Sequence, residues 1–150
     1  MNILFVCTGN TCRSCMAEVI FNKISDIEEA TAYSAGISVV PGSKTSYNAA
    51  SLIKSNFNLD ISNRFAKQLV PNDLEKNDLV LTMTKYMEEL LKDAFPEHNN
   101  KIYNLNSLVD MESDISDPFG GNIQMYQNTF HSLKKSIGLL INKLKEDSGN

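Results

Sequence analysis

The sequence predicts an α/β fold in three layers, α/β/α, with a parallel sheet between two layers of helices. Two observations carry this. The short continuous apolar runs Ile3-Leu-Phe-Val and Leu79-Val-Leu-Thr-Met read as strands buried on both faces. Segments with helical spacing of apolar residues alternate with such runs along the chain. That alternation builds parallel sheets with crossover helices. At 150 residues the chain is expected to form one domain, residues 1–150. A domain of that size buries roughly 70% of its unfolded surface, so its stability needs neither disulfides nor a metal.

After the first strand, Ser14 to Ile24 is expected to be helical, with Met16, Ala17, Ile20, Phe21 and Ile24 on one face. Ala32 to Ala35 reads as a second strand, ended by Gly36. Ser46 to Phe57 reads as a helix with Ala49, Leu52, Ile53 and Phe57 inward. Pro71 opens a short helix, where its fixed φ suits the first position. Leu79 to Met83 is the third strand, Lys85 to Ala94 a helix closed by Pro96, and Ile102 to Leu105 the fourth strand. Asp114 to Asn122 is a loop rich in Asp, Pro and Gly. Met125 to Leu144 is a long amphipathic helix burying Tyr126, Phe130, Leu133, Ile137, Leu140, Ile141 and Leu144. The polar tail from Lys143 to Asn150 is expected to fray. Met83, Met87, Phe95, Tyr103, Tyr126 and Phe130 are expected in the core rather than in a site.

Composition narrows the function. A net charge of −4 argues against a nucleic-acid surface, although a local site can still take an anion. The three cysteines, Cys7, Cys12 and Cys15, are odd in number and clustered, which is no secreted disulfide framework. His98 and His131 lie far from them, so no metal site is expected. The chain shows no transmembrane run and no signal-peptide pattern. The expected compartment is the cytoplasm, with no membrane partner.

The chemistry concentrates in Cys7-Thr-Gly-Asn-Thr-Cys-Arg-Ser. This segment joins a buried strand to a helix N-terminus, where free N–H groups and the helix dipole favour an anion. Gly9 and Asn10 can take left-handed backbone angles. Successive inward amides, from Thr8 through Cys12 to Ser14, make a nest for a tetrahedral oxyanion. Arg13 adds a planar fork that fits two phosphate oxygens. Cys7 then lies at the bottom of a positive cup, which favours the thiolate, a nucleophile set for in-line attack on a bound phosphoryl group. Ser14 can steady that thiolate with its hydroxyl. A buried small hydrophobe ending a strand is the plainer reading of Cys7. Cleaving an ester also needs a proton donor, and from the residues alone Asp110, Asp114 and Asp117 compete for that role.

The stretch Val6-Cys-Thr-Gly-Asn-Thr-Cys-Arg-Ser resembles the active-site loop of the low-molecular-weight protein tyrosine phosphatases. Met16-Ala-Glu, Ser34-Ala-Gly, Asp78-Leu-Val-Leu-Thr-Met and Asp117-Pro-Phe-Gly-Gly match the same family in the right order along the chain. The resemblance implies a four-stranded parallel sheet of order 2-1-3-4 and a phosphocysteine intermediate that water hydrolyses. It also implies no metal or cofactor. By resemblance Cys7 is the nucleophile, Arg13 the phosphate clamp and Asp117 the general acid. Residues Thr8 to Ser14 bind the phosphate, and Ser34 holds Asn10 in its unusual conformation. The implied partner is a phosphorylated protein, met by a monomer or weak dimer.

Departures from the family pattern bear on substrate. Thr11 and Phe119-Gly120 match a bacterial branch, the protein arginine phosphatases, rather than tyrosine-directed members. A Thr hydroxyl can accept a hydrogen bond from a guanidinium, and the Asp117 carboxylate can pair with the same cation. The simpler reading is that Thr11 caps the loop backbone. Phosphotyrosine would also fit a slot between Phe119 and the Ile37–Pro41 loop. The alternatives are thus a tyrosine-only phosphatase, an arsenate reductase and a non-catalytic phospho-residue binder. The arsenate reductases resembling this loop need further cysteines, and none follows Cys15. Cys15 stands where the family has proline, as a second oxidisable thiol or a small packing residue. Cys12 is expected to capture an oxidised Cys7 as a disulfide. Where many members have a loop histidine, this chain offers Asn63 or Arg64.

Overall fold

The computed structural model describes residues 1–148. Four strands form one parallel sheet: β1 (Asn2–Cys7), β2 (Thr31–Gly36), β3 (Leu79–Thr82) and β4 (Ile102–Asn104), in the order β2-β1-β3-β4. This is the predicted order. The helices are α1 (Arg13–Ile24), α2 (Tyr47–Phe57), α3 (Pro71–Lys76), α4 (Lys85–Ala94), α5 (Leu105–Leu108) and α6 (Ile123–Ser148).

Strand β1 is central because it is apolar on both faces. Ile3 and Phe5 enter the larger core cluster with Met16, Ile20 and Phe21 of α1 and with Phe130 and Leu133 of α6. Leu4 and Val6 enter the smaller cluster with Leu74 of α3, Leu91 of α4 and Val80. Helix α6 packs on α1 and α2, so each face of the sheet carries its own helical layer. Cys7 pairs with Gly36, Val6 with Thr82, and Thr82 with Asn104. The carboxyl ends of all four strands therefore open on one edge, where ligands bind in such sheets.

Gly36 is set by close approach. A Cβ there would sit 2.7 Å from the Thr8 carbonyl oxygen and 3.0 Å from the Asn10 nitrogen. Without a side chain, the end of β2 reaches the loop: Ile37 N–H donates to Cys7 O and Ser38 N–H to Thr8 O, each at 2.9 Å.

Several expectations change. Strand β2 takes in Gly36, and β3 stops at Thr82, one residue before Met83. The fourth strand stops at Asn104, because Leu105 turns into α5 and buries its side chain from there. The segment Pro96–Lys101 forms a 3-10 helix that apolar spacing did not signal. The tail does not fray through Ser148: α6 continues, and Lys145 Nζ meets Asp26 Oδ2 at 2.8 Å. The rest of the tail, Gly149 and Asn150, lies outside the described residues. Met83, Met87, Tyr126 and Phe130 are buried as expected, while Phe95 and Tyr103 are partly buried.

Candidate active site

The loop between β1 and α1 closes around the Cys7 sulfur. Ser14 Oγ lies 2.8 Å from Cys7 Sγ, and the Asn10 backbone N–H donates to the same sulfur at 3.2 Å. Asn10 makes this possible with φ of 58°, the left-handed region that Asn tolerates through its short polar side chain. The expectation for Gly9 is corrected here. Gly9 is not among the residues of positive φ, and a Cβ on it would meet only Thr11 Oγ1, at 3.9 Å. The bend belongs to Asn10.

The Asn10 side chain is tied on both ends. Its Nδ2 donates to Ser14 Oγ at 2.7 Å and to Ser34 Oγ at 3.0 Å. Its Oδ1 accepts from the Lys67 N–H at 2.9 Å and from Arg64 at 3.1 Å. Of Asn63 and Arg64, it is Arg64 that reaches the loop. Arg64 also donates to Ser34 Oγ at 2.8 Å and pairs with Glu18, whose Oε1 accepts the Ser34 hydroxyl at 2.6 Å.

Arg13 is buried. One guanidinium nitrogen donates to the Ile115 carbonyl at 3.0 Å, and the other lies 3.5 Å from Asp117 Oδ2. Asp117 is half-exposed at the mouth. The competing carboxylates are elsewhere: Asp114 accepts from the Lys85 N–H and Asn104, and Asp110 sits in a left-handed turn with φ of 62°. Above the sulfur is a cavity of about 400 Å³. Residues 7–13, Ser38, Val40, Ser43, Asp117 and Phe119 line it. Thr11 faces this space, and Phe119 is 74% exposed, free to meet a substrate.

The other thiols differ from Cys7. Cys15 is fully buried and donates to the Cys12 carbonyl at 3.2 Å. Burial pushes its thiol far up, so it stays neutral and fills the first turn of α1. Cys12 Sγ lies 3.2 Å from the Tyr126 hydroxyl and 3.4 Å from Ser46 Oγ. Tyr126 is thus both core and site neighbour, a double role that its helical spacing could not signal. Burial and the contact with Cys12 push its phenol up to about 12. Among the described residues, no group of three or more His, Cys, Asp or Glu side chains could hold a metal, and no helix is long and apolar enough to cross a membrane.

Comparison with known proteins finds relatives over the whole chain. The sequence model described as low molecular weight phosphotyrosine protein phosphatase covers residues 2–150. The protein-arginine-phosphatase of Bacillus subtilis is 35% identical over 98% of this chain and 99% of its own length. The low molecular weight protein-tyrosine-phosphatase PtpB of Staphylococcus haemolyticus is 40% identical over 93% and 97%. Among solved structures, a cysteine-to-serine mutant of YwlE arginine phosphatase with a phosphorylated active-site serine superposes with a TM-score of 0.90. It is 33% identical and covers 99% of this chain and 98% of that one. The chain belongs to the low-molecular-weight phosphotyrosine protein phosphatase family.

Proposed function

We propose that this phosphatase removes phosphate from phosphoarginine of proteins ahead of phosphotyrosine, through a phosphocysteine on Cys7. The observation that carries the reaction is the convergence of Ser14 Oγ and the Asn10 N–H on the Cys7 sulfur, below a cavity clamped by Arg13. The Asn10 N–H donates to that sulfur, and the Ser14 hydroxyl lies within hydrogen-bond reach of it. The thiolate attacks phosphorus in line, the S–P bond forms, and the P–N or P–O bond breaks. Arg13 and the inward amides of residues 8–14 hold the phosphoryl oxygens. Asp117 gives its proton to the leaving nitrogen or oxygen. As a carboxylate it then takes a proton from the water that cleaves the S–P bond, which restores the Cys7 thiolate and releases phosphate.

Substrate preference rests on Thr11 and Asp117, which line the same cavity as Phe119. A hydroxyl oxygen and a carboxylate are acceptors for guanidinium N–H groups, which a phenyl ring lacks. Phe119 and Val40 line the same cavity and give it apolar surface for either leaving group. The relatives above include phosphatases named for arginine and for tyrosine.

The test compares wild type and Cys7→Ser on a phosphoarginine protein and a phosphotyrosine peptide at neutral pH. Faster turnover of phosphoarginine, lost in Cys7→Ser, is expected. Faster turnover of phosphotyrosine would sink the arginine preference, and turnover surviving in Cys7→Ser would sink the phosphocysteine route.

A further inference from the structure

We propose that Thr129 of α6 is a positioning residue: it fixes the peptide plane that carries Asp117 and so aims the carboxyl at the leaving atom. The inference rests on the proposed role of Asp117 as proton donor.

The loop before α6 is held unevenly. Upstream it is fastened to the body of the fold. The Ile115 N–H donates to the Met83 carbonyl just past β3, and the Ile115 carbonyl accepts from buried Arg13, each at 3.0 Å. Downstream the chain turns on itself: the Gly121 N–H donates to the Pro118 carbonyl at 2.8 Å, and Gly120 takes a φ of 78°. Asp117 lies between these two parts. Its Oδ1 accepts from the Phe119 N–H at 3.0 Å, a contact within the loop. Its approach to Arg13, at 3.5 Å, is long for a charge-assisted hydrogen bond. On the α6 side, packing does not close. A cavity of about 180 Å³ is lined by residues 116–118 and by Met125, Asn128, Thr129 and Ser132. Those four residues share one face of the helix. Packing that leaves such a space gives the loop room to shift.

A polar tie restrains it there. The Thr129 hydroxyl donates to the Ser116 carbonyl at 3.2 Å. The direction is fixed by the partner, because a carbonyl only accepts. Thr129 is 3% exposed, and a hydroxyl so buried needs a partner. A threonine inside a helix commonly gives its hydrogen to the carbonyl one turn back. Thr129 spends it on another element instead. The Ser116 carbonyl and the Asp117 nitrogen belong to one planar peptide group. Holding that oxygen therefore sets the plane from which the Asp117 side chain departs. Pro118 restricts Asp117 from the other side, since a residue before proline favours extended backbone. With both flanking peptide groups restrained, few directions remain for the carboxyl.

The test uses two aryl phosphates that differ in their need for a proton. Phenolate is a poor leaving group and para-nitrophenolate a good one, so the first depends more strongly on the acid. The quantity read is kcat/KM, which reports transfer to Cys7 and not the later hydrolysis. It is measured for wild type, Thr129→Val, Thr129→Ser, Asp117→Asn and the double variant Thr129→Val with Asp117→Asn. Thr129→Val keeps the size and removes the donor. It is expected to lose about tenfold on phenyl phosphate, a part of the roughly 100-fold that general acid catalysis supplies, and at most about threefold on para-nitrophenyl phosphate. Thr129→Ser keeps the hydroxyl and is expected to regain most of the loss. On phenyl phosphate the double variant is expected to be no slower than Asp117→Asn, because Thr129 acts through Asp117. Equal losses on the two esters, fully additive losses in the double variant, or a Thr129→Ser as slow as Thr129→Val would overturn the proposal. Should Thr129→Val not fold, Thr129→Ala removes the same donor and carries the same expectations. An Asp117→Asn variant as fast as wild type on phenyl phosphate would sink the acid assignment and this proposal with it. A slow Asp117→Asn beside an unchanged Thr129→Val would overturn this proposal alone.

Discussion

Asp117 occupies an unusual position for a carboxylate, half-exposed and 3.5 Å from a buried guanidinium. It is the partner of Arg13, and under the proposed mechanism it is the proton donor to the leaving atom. Asp117→Asn keeps the shape and removes the transferable proton. It is expected to lower kcat by about 100-fold or more while substrate binding persists, read as kcat and KM measured separately. Cys12 carries a second expectation. It sits between Tyr126 and Ser46, one loop away from Cys7. If peroxide converts Cys7 to a sulfenic acid, attack by Cys12 forms the disulfide and expels water. Cys12→Ala should then fail to regain activity when thiol is added after peroxide. Recovery equal to wild type would reject this. That Cys7, Arg13 and Ser14 share one loop at the end of a strand was legible from residue type and spacing. The choice of Asp117 over Asp110 and Asp114 needed a family pattern, because nothing in an Asp-Pro turn says which way the turn faces.

At the scale of elements, the end of β2 decides whether the loop can form. Gly36 lets two backbones touch, with Thr8 O only 2.7 Å from where a Cβ would lie. Gly36→Ala must push the loop or Val39 away, so activity is expected to fall far more than stability. Comparing turnover with the thermal midpoint checks this, and equal turnover would refute it. Most elements were readable from periodicity: β1 and β3 as continuous apolar runs, α1 and α6 as helical stripes. The readable part ended where local chemistry competes with pattern. Leu105 is apolar enough for a strand, yet it enters a helix and still reaches the core. The 61–70 segment has no periodicity, so the pairing of Gly36 with Gln68 and the delivery of Arg64 and Lys67 to Asn10 are consequences of tertiary structure.

For the molecule as a whole, the site is fastened to the fold's acid stability. Asp73 at the start of α3 is almost fully buried. Burial raises its carboxyl, but the Val70 N–H and the Lys67 and Lys76 ammonium groups outweigh this and hold it below its usual value. A carboxylate depressed in the folded state adds stability above the unfolded pKa, and that stability is lost as pH falls through the folded value. Acidification below about pH 4 should therefore lower the denaturant midpoint. Asp73→Asn should be less stable at neutral pH and lose less on acidification, and parallel acid profiles would refute the coupling. Asn10 depends on Ser34, 24 positions away, and on Lys67, 57 away, while Arg13 leans on Ile115, 102 away. A ribosome makes this loop before most of its supports. Synthesis must run 102 residues past Arg13 before the carbonyl of Ile115 exists to hold it, so the geometry of the loop is a late product of translation.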